Sequence, residues 1–209
     1  MDSKVRITPK PNGPLIVENL ERLNSRKGAI AAQPNMALCR CGGSANKPFC
    51  DGTHRKNGFR SERLADAASN ERASYAGKRI TIHDNRAICA HAGACTDNLK
   101  AVFRMRAEPW IDPDGAAVEE IVATIRKCPS GALSYSIDGV EHRDQERPPM
   151  VTVTDDGPYA IAGGIDLVDV PFGDGASRER YTLCRCGQSK NKPFCDGSHW
   201  NAGFRDPAE

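Results

Sequence analysis

Cysteine and histidine carry most of the chemistry this sequence offers, and they fall into repeated patterns. Cys39 and Cys41 are separated by one residue, Cys50 follows, and His54 lies four positions beyond it. Cys184, Cys186, Cys195 and His199 repeat the arrangement. Neighbouring positions of an extended strand point to opposite faces, so a one-residue gap puts both thiolates of Cys39 and Cys41 on one side. One strand can then offer two sulfurs to one metal centre. Gly42-Gly43-Ser44 and Asn46-Lys47-Pro48 are turn formers that bring the chain back to Cys50. Asp51-Gly52 is a turn or helix-start signal, with Asp51 a candidate N-cap. If the next segment is helical, Cys50 and His54 share a face. Three thiolates and one imidazole suit a structural zinc site or an iron–sulfur cluster. Zinc patterns usually separate paired cysteines by two to four residues, and these are separated by one, so spacing alone leaves both open.

The remaining composition explains why such a chain needs metal. Of 209 residues only 6% are aromatic, and glycine and proline are numerous at 19 and 14. Mean hydropathy is −0.55. Small domains with thin cores are usually held by a disulfide, a metal or a partner. Nine cysteines are an odd number. The first residues have no apolar run of a secretory signal, and nothing approaches the roughly 18 apolar residues of a membrane span. These features predict a cytoplasmic chain with reduced thiols and no membrane, so metal ligation is expected over disulfides. A net charge of +2 gives no reason to expect nucleic acid.

An internal repeat sets the layout. Residues 38–60 and 183–205 are identical at 17 of 23 positions. Residues 12–17 also parallel 156–161. Each repeat reads as an upstream strand, a variable loop, a strand and the ligand loop, and two copies are what a fused dimer would leave. The segment between them differs in kind. A short strand is predicted at 79–84, a helix at 116–127 on the spacing of Val118, Ile121, Val122 and Ile125, and a second strand at 133–137. Polar stretches at 65–74 and 142–149 mark boundaries, giving domains at 1–64, 75–142 and 150–209. Residues 173–180 read as a loop.

The ligand loops fit C-x-C-x2-S-x3-P-x-C-D-G-[ST]-H, with Thr53 in the first and Ser198 in the second. This resembles the CDGSH (NEET) iron–sulfur family. The resemblance implies a 2Fe–2S cluster in each loop, with Cys39 and Cys41 on one iron and Cys50 and His54 on the other. Cys184, Cys186, Cys195 and His199 would repeat this. It also implies a monomer whose halves mimic the dimer of single-motif members. The middle segment, with Cys89, Cys95, Cys128 and Pro129, resembles the divergent mono-cluster ferredoxins. Aligned to the C-x2-C-x2-C…C-P run, the second ligand falls at Ala92, which cannot bind iron. That favours a 3Fe–4S cluster on Cys89, Cys95 and Cys128. The alternative is 4Fe–4S with water or His91 on the fourth iron, and three ordinary cysteines in a small domain remain open as well.

The expected fold is α+β: two small β-rich cluster domains forming an intramolecular pseudo-dimer, plus a small ferredoxin-like α/β domain. The expected function is one-electron transfer with redox partner proteins. The alternatives are a cluster donor to apo iron–sulfur proteins or a redox/pH sensor, and a structural zinc protein. No nucleotide loop, nucleophile–base pair or paired carboxylates point to an enzyme. Among the other residues, His83 and His142 read as surface histidines. Arg40 and Arg185 read as braces, and Asp51 and Asp196 as turn formers. Lys47 and Lys192 could tune cluster charge or simply be solvated. Trp110 and Trp200 read as core or surface fillers, and Arg55 and Lys56 as solvated charges.

Overall fold

The structure is a computed structural model, and it describes residues 4–64, 72–173 and 175–206. It is mostly strand, with few and short helices. Five strands precede and include the approach to the first ligand loop: β1 (Arg6–Pro9), β2 (Leu15–Glu18), β3 (Leu23–Ser25), β4 (Gly28–Ile30) and β5 (Asn35–Leu38). The middle segment supplies β6 (Arg72–Ala76), β7 (Thr81–Asn85), β8 (Leu133–Ile137) and β9 (Val140–His142), with helices α1 (Ala94–Asn98) and α2 (Val118–Arg126). The second repeat supplies β10 (Met150–Val153), β11 (Tyr159–Ala162), β12 (Asp166–Leu167), β13 (Tyr181–Leu183) and α3 (Ser198–Asn201).

Two sheets mix the repeats. The first runs β12-β1-β2-β5 and the second β13-β11-β10-β3-β4. In each, three strands come from one repeat and the outer strands from the other. The pairing is reciprocal. Parallel β3 sets Leu23 beside Val151 of β10, and parallel β12 sets Leu167 beside Ile7 of β1. Residues 7 and 151, and 23 and 167, occupy matched places in the two repeats. Alternation on β2 and β10 turns Leu15, Val17, Val151 and Val153 inward. They join Ile7, Leu23, Leu38, Tyr159, Ile161 and Leu183 in one core fed by both repeats. Buried area of this kind, at roughly 25 cal/mol per Å2, is the main force joining the two halves.

The middle segment forms a third sheet, β6-β7-β8-β9, with its own core. Helix α2 packs Ile121 and Ile125 onto it. Its first turn is closed by the Glu120 carboxylate, which accepts the Ala117 N–H at 3.2 Å. The predicted strand at 133–137 coincides with β8, and the helix is one residue shorter at its C-terminal end and two at its N-terminal end than the predicted one. His142 ends β9 and stacks on Tyr135, so it belongs to a strand instead of a linker. The described residues within 173–180 carry neither strand nor helix, yet they bury Ser177, Glu179 and Arg180. Much of the polar boundary at 65–74 lies outside the described residues. No helix among the described residues is long and apolar enough to cross a membrane.

Candidate metal centres

The two ligand loops have the same construction. The backbone of Cys39 is held by the Pro48 carbonyl at 2.8 Å, and that of Cys184 by the Pro193 carbonyl at the same distance. Ser44 Oγ donates to the Phe49 carbonyl and Ser189 Oγ to the Phe194 carbonyl, each at 2.7 Å. The Asp51 carboxylate accepts the N–H groups of Ala45 and Thr53, which hold its pKa well below the usual carboxylate range. Asp196 does the same for Lys190 and Ser198. Burial pushes the Asp196 carboxyl up, but its hydrogen bonds hold it low on balance. Both lysines bend back onto their own loops: Lys47 Nζ donates to the Ser44 carbonyl at 2.7 Å and Lys192 Nζ to the Ser189 carbonyl at 2.6 Å. They are loop braces.

The arginines between the cysteine pairs are buried. Arg40 Nε donates to the Gly13 carbonyl and Arg185 Nε to the Gly157 carbonyl, both at 2.8 Å. Arg185 also donates to the Thr154 carbonyl at 2.7 Å and pairs with Asp206. Each arginine therefore ties its ligand loop to the upstream turn of the same repeat.

The donor atoms come in pairs. Cys39 and Cys41 Sγ are 3.7 Å apart, and Cys184 and Cys186 Sγ are 3.8 Å apart. Cys50 Sγ lies 3.3 Å from His54 Nδ1, and Cys195 Sγ 3.5 Å from His199 Nδ1. Two sulfurs bound tetrahedrally at about 2.3 Å stand roughly 3.8 Å apart, and a sulfur with an imidazole nitrogen roughly 3.5 Å. Each pair thus has the span of one edge of a coordination tetrahedron. Among the described residues, no group of three or more His, Cys, Asp or Glu side chains is set to hold a single metal ion. The hydrogen bond from Cys39 pulls the Cys41 thiol down to about 5, and that from Cys184 lowers Cys186 to about 7. The inner sulfurs, Cys39 and Cys184, are raised by sharing that proton. Backbone N–H groups of Gly52, Gly197 and Gln188 point at Cys50, Cys195 and Cys186 from 3.4 to 3.5 Å. Such contacts favour thiolate and tune a bound centre.

The two sites are joined at their cysteines. Cys41 and Cys186 form an antiparallel bridge. Gly42 and Gly187 follow them with φ of 77° and 81°. A Cβ on Gly42 would lie 2.7 Å from the Cys186 carbonyl oxygen, and one on Gly187 2.8 Å from that of Cys41. Only glycine permits this approach.

Cys89, Cys95 and Cys128 line one cavity of about 450 Å3. Burial raises Cys89, and burial with the nearby Cys128 and Cys89 raises Cys95 to about 11. Cys89 and Cys95 therefore resist ionising, chiefly because they are buried. The other donors on the wall are Asp84, Asp97 and His91. Asp84 is buried and paired with Arg86 at 2.9 Å. Burial pushes its carboxyl up to about 6 against the pull of Arg86. Arg86 Nη1 lies 3.9 Å from Cys89 Sγ, and its guanidinium sits 3.9 Å over the Trp110 ring. Sequence patterns gave no sign of this pair, because its members are joined by side chains alone. His91 Nδ1 lies 3.1 Å from the Cys89 carbonyl oxygen. His83, as expected, is satisfied by Ser74 and Ser136 hydroxyls at 2.8 and 2.7 Å.

The sequence matches known families in the same three regions. The family model described as iron-binding zinc finger of CDGSH type matches residues 12–55 and 156–200. That described as divergent 4Fe-4S mono-cluster matches 75–138. The uncharacterized protein YjdI of Escherichia coli K12 is 43% identical over 61 residues, 29% of this chain and 80% of the relative. The protein of that name from Escherichia coli O157:H7 matches to the same extent. No solved structure matches. The chain belongs to the CDGSH-type iron-binding family, with two such regions flanking a divergent 4Fe–4S mono-cluster domain.

Proposed function

We propose that the protein transfers single electrons between redox partner proteins through three iron–sulfur centres and is not itself an enzyme. Cys39, Cys41, Cys50 and His54 hold one 2Fe–2S cluster, and Cys184, Cys186, Cys195 and His199 a second. Cys89, Cys95 and Cys128 hold a 3Fe–4S cluster, the alternative being 4Fe–4S with water or His91 on the fourth iron. The observation that carries the reading is the pairing of donors. Each loop offers two separate edges, Cys–Cys and Cys–His, as two bridged irons require. A lone zinc ion needs all four donors at one point.

A bound cluster supplies one-electron capacity; the chain supplies its setting. Three thiolates instead of four make each terminal site less negative, so its potential lies above the roughly −400 mV of all-cysteine plant-type ferredoxins. The reciprocal exchange of β3 and β12 supports reading the two repeats as a pseudo-dimer within a monomer. A second reading, donation of a cluster to an apo-protein, draws on the first site, where His54 is only half-buried and Gly52 faces open space.

Iron and sulfide analysis with EPR of oxidised and reduced protein tests the proposal. The expected result is a paramagnetic oxidised 3Fe–4S signal and 2Fe–2S signals on reduction. Colourless protein with stoichiometric zinc, which cannot be reconstituted with iron and sulfide, would refute it. Transfer of cluster to an apo-ferredoxin, measured against electron transfer to the same ferredoxin, separates the two readings.

A further inference from the structure

We infer that His91 and Trp200 couple the middle centre to the second ligand loop and leave the first loop as the outlying one. The inference rests on the iron–sulfur reading above and assigns an order to its three centres.

The two loops are nearly identical in sequence, but their surroundings differ. In the first, Gly52 lies between Cys50 and His54 and faces open space, and the residue after His54 is the exposed Arg55. In the second, the matched Gly197 is covered. A Cβ there would fall 2.4 Å from His91 Nδ1 and 2.9 Å from its Cγ. Where the first loop has Arg55, the second has Trp200. Its indole Nε1–H donates to the His91 carbonyl at 3.1 Å, and its ring lies 5.4 Å from that of His199. Asn191, in the same loop, donates to the Ala87 carbonyl at 2.8 Å. The middle segment therefore seats on the imidazole side of the second site and leaves that side of the first one bare.

The contact makes a short bonded path. From Cys89 the backbone runs two residues to the His91 carbonyl. One hydrogen bond leads to Trp200, which is covalently next to His199. Ligand reaches ligand with one non-covalent step. On the far side of the second site, Cys186 meets Cys41 through the backbone bridge. Electron tunnelling falls off more slowly along bonds and hydrogen bonds than across a gap of similar length, so the path sets the sequence middle, second, first. One electron moves at each step: one centre is oxidised as its neighbour is reduced, and no bond forms or breaks. The electron enters from and leaves to one-electron carriers of the flavin or iron–sulfur class.

Two variants locate the coupling by magnetism instead of turnover. Cys50→Ala removes the first centre and Cys195→Ala the second. In reduced protein, the 2Fe–2S signal left in Cys50→Ala should saturate at several-fold higher microwave power than that left in Cys195→Ala, because only the second centre lies against the paramagnetic middle one. Equal saturation, or the reverse order, overturns the inference while the three signals keep the underlying reading intact. Absence of iron–sulfur signals removes the reading and the inference together. Flash reduction of otherwise intact protein adds a second measurement. Trp200→Phe should slow redistribution between the middle and second centres several-fold, with midpoint potentials and iron content unmoved, and Arg55→Gln should leave the rate alone. A wild-type rate in Trp200→Phe would also overturn it.

Discussion

His54 and His199 occupy the same place in the same motif, but one is half-buried and the other buried. Burial first, and then the nearby His91, pull the His199 pKa below the ordinary histidine value. An imidazole binds metal only when unprotonated, so protonation competes with the centre. A lowered pKa means that protonation, and loss of the second centre, waits for a lower pH. Visible absorbance should therefore bleach in two phases on acidification, the first centre before the second. Cys50→Ala should keep the later phase and Cys195→Ala the earlier one. His54→Cys and His199→Cys should each slow the phase of its own site. A single phase common to both sites would contradict the assignment. A second residue-scale asymmetry is Tyr159, whose hydroxyl donates to the carbonyls of Cys39 at 2.7 Å and Pro48 at 3.0 Å. Leu15 holds the matched place in the first repeat, so only the first ligand loop has this support. Tyr159→Phe takes this donor from the buried Cys39 carbonyl, while the Pro48 carbonyl keeps the Cys39 N–H, and should cost about 1–3 kcal/mol in urea unfolding, with earlier loss of the first centre than of the second.

Among the elements, the segment around Arg180 joins the middle sheet to the second repeat. The Arg180 side chain is fully buried and donates to the carbonyls of Cys128 at 3.0 Å, Leu133 at 3.1 Å and Arg143. One of those carbonyls belongs to Cys128, a proposed ligand of the middle centre. Arg180→Met keeps bulk but leaves the carbonyls unpaired, and should destabilise by about 3 kcal/mol or more. The loss should show as faster proteolysis at 143–149 and early bleaching of the middle centre, with both terminal centres intact. Elements of this kind divide what the sequence reveals from what it hides. The ligand loops were legible because their spacing is the chemistry. Strand β8 was legible because its apolar run is bounded by Pro129-Ser130-Gly131 and Asp138-Gly139. Strands β3, β4 and β12 were not, since two or three residues show no period, and the strands that β3 and β12 join in the other repeat lie more than a hundred residues away. The described residues of the 173–180 loop are irregular, as its composition suggests, but a buried arginine that bonds to backbone carbonyls leaves no pattern in sequence. His91 was legible only as a candidate ligand, and its contact with Gly197 depends on how two separately encoded units meet.

For the molecule as a whole, the exchange of β3 and β12 makes each half incomplete. Strand β1 is covered on its outer edge by β12, which arrives from the second repeat, and β3 with β4 has no partner within the first. Leu23 of β3 is buried in a core to which both repeats contribute. Cut free, residues 1–64 would expose the edge of β1 and the apolar face of β3 together, which is unfavourable in water and open to pairing. The register says how the need can be met. Leu23 beside Val151 and Leu167 beside Ile7 are the same pairing seen twice, so a second copy of 1–64 can place its β3 along β1 of the first, and the first can return the exchange. Light scattering on that fragment should give the mass of two copies, and the Cys41–Cys186 bridge should become Cys41 against Cys41. Substituting Leu23 with Asp should return the fragment to monomers that unfold, whereas in the full chain, where the halves are tethered, it should only lower stability. A fragment that is folded and monomeric would mean that each repeat closes its own sheet, contrary to the pairing of β3 with β10.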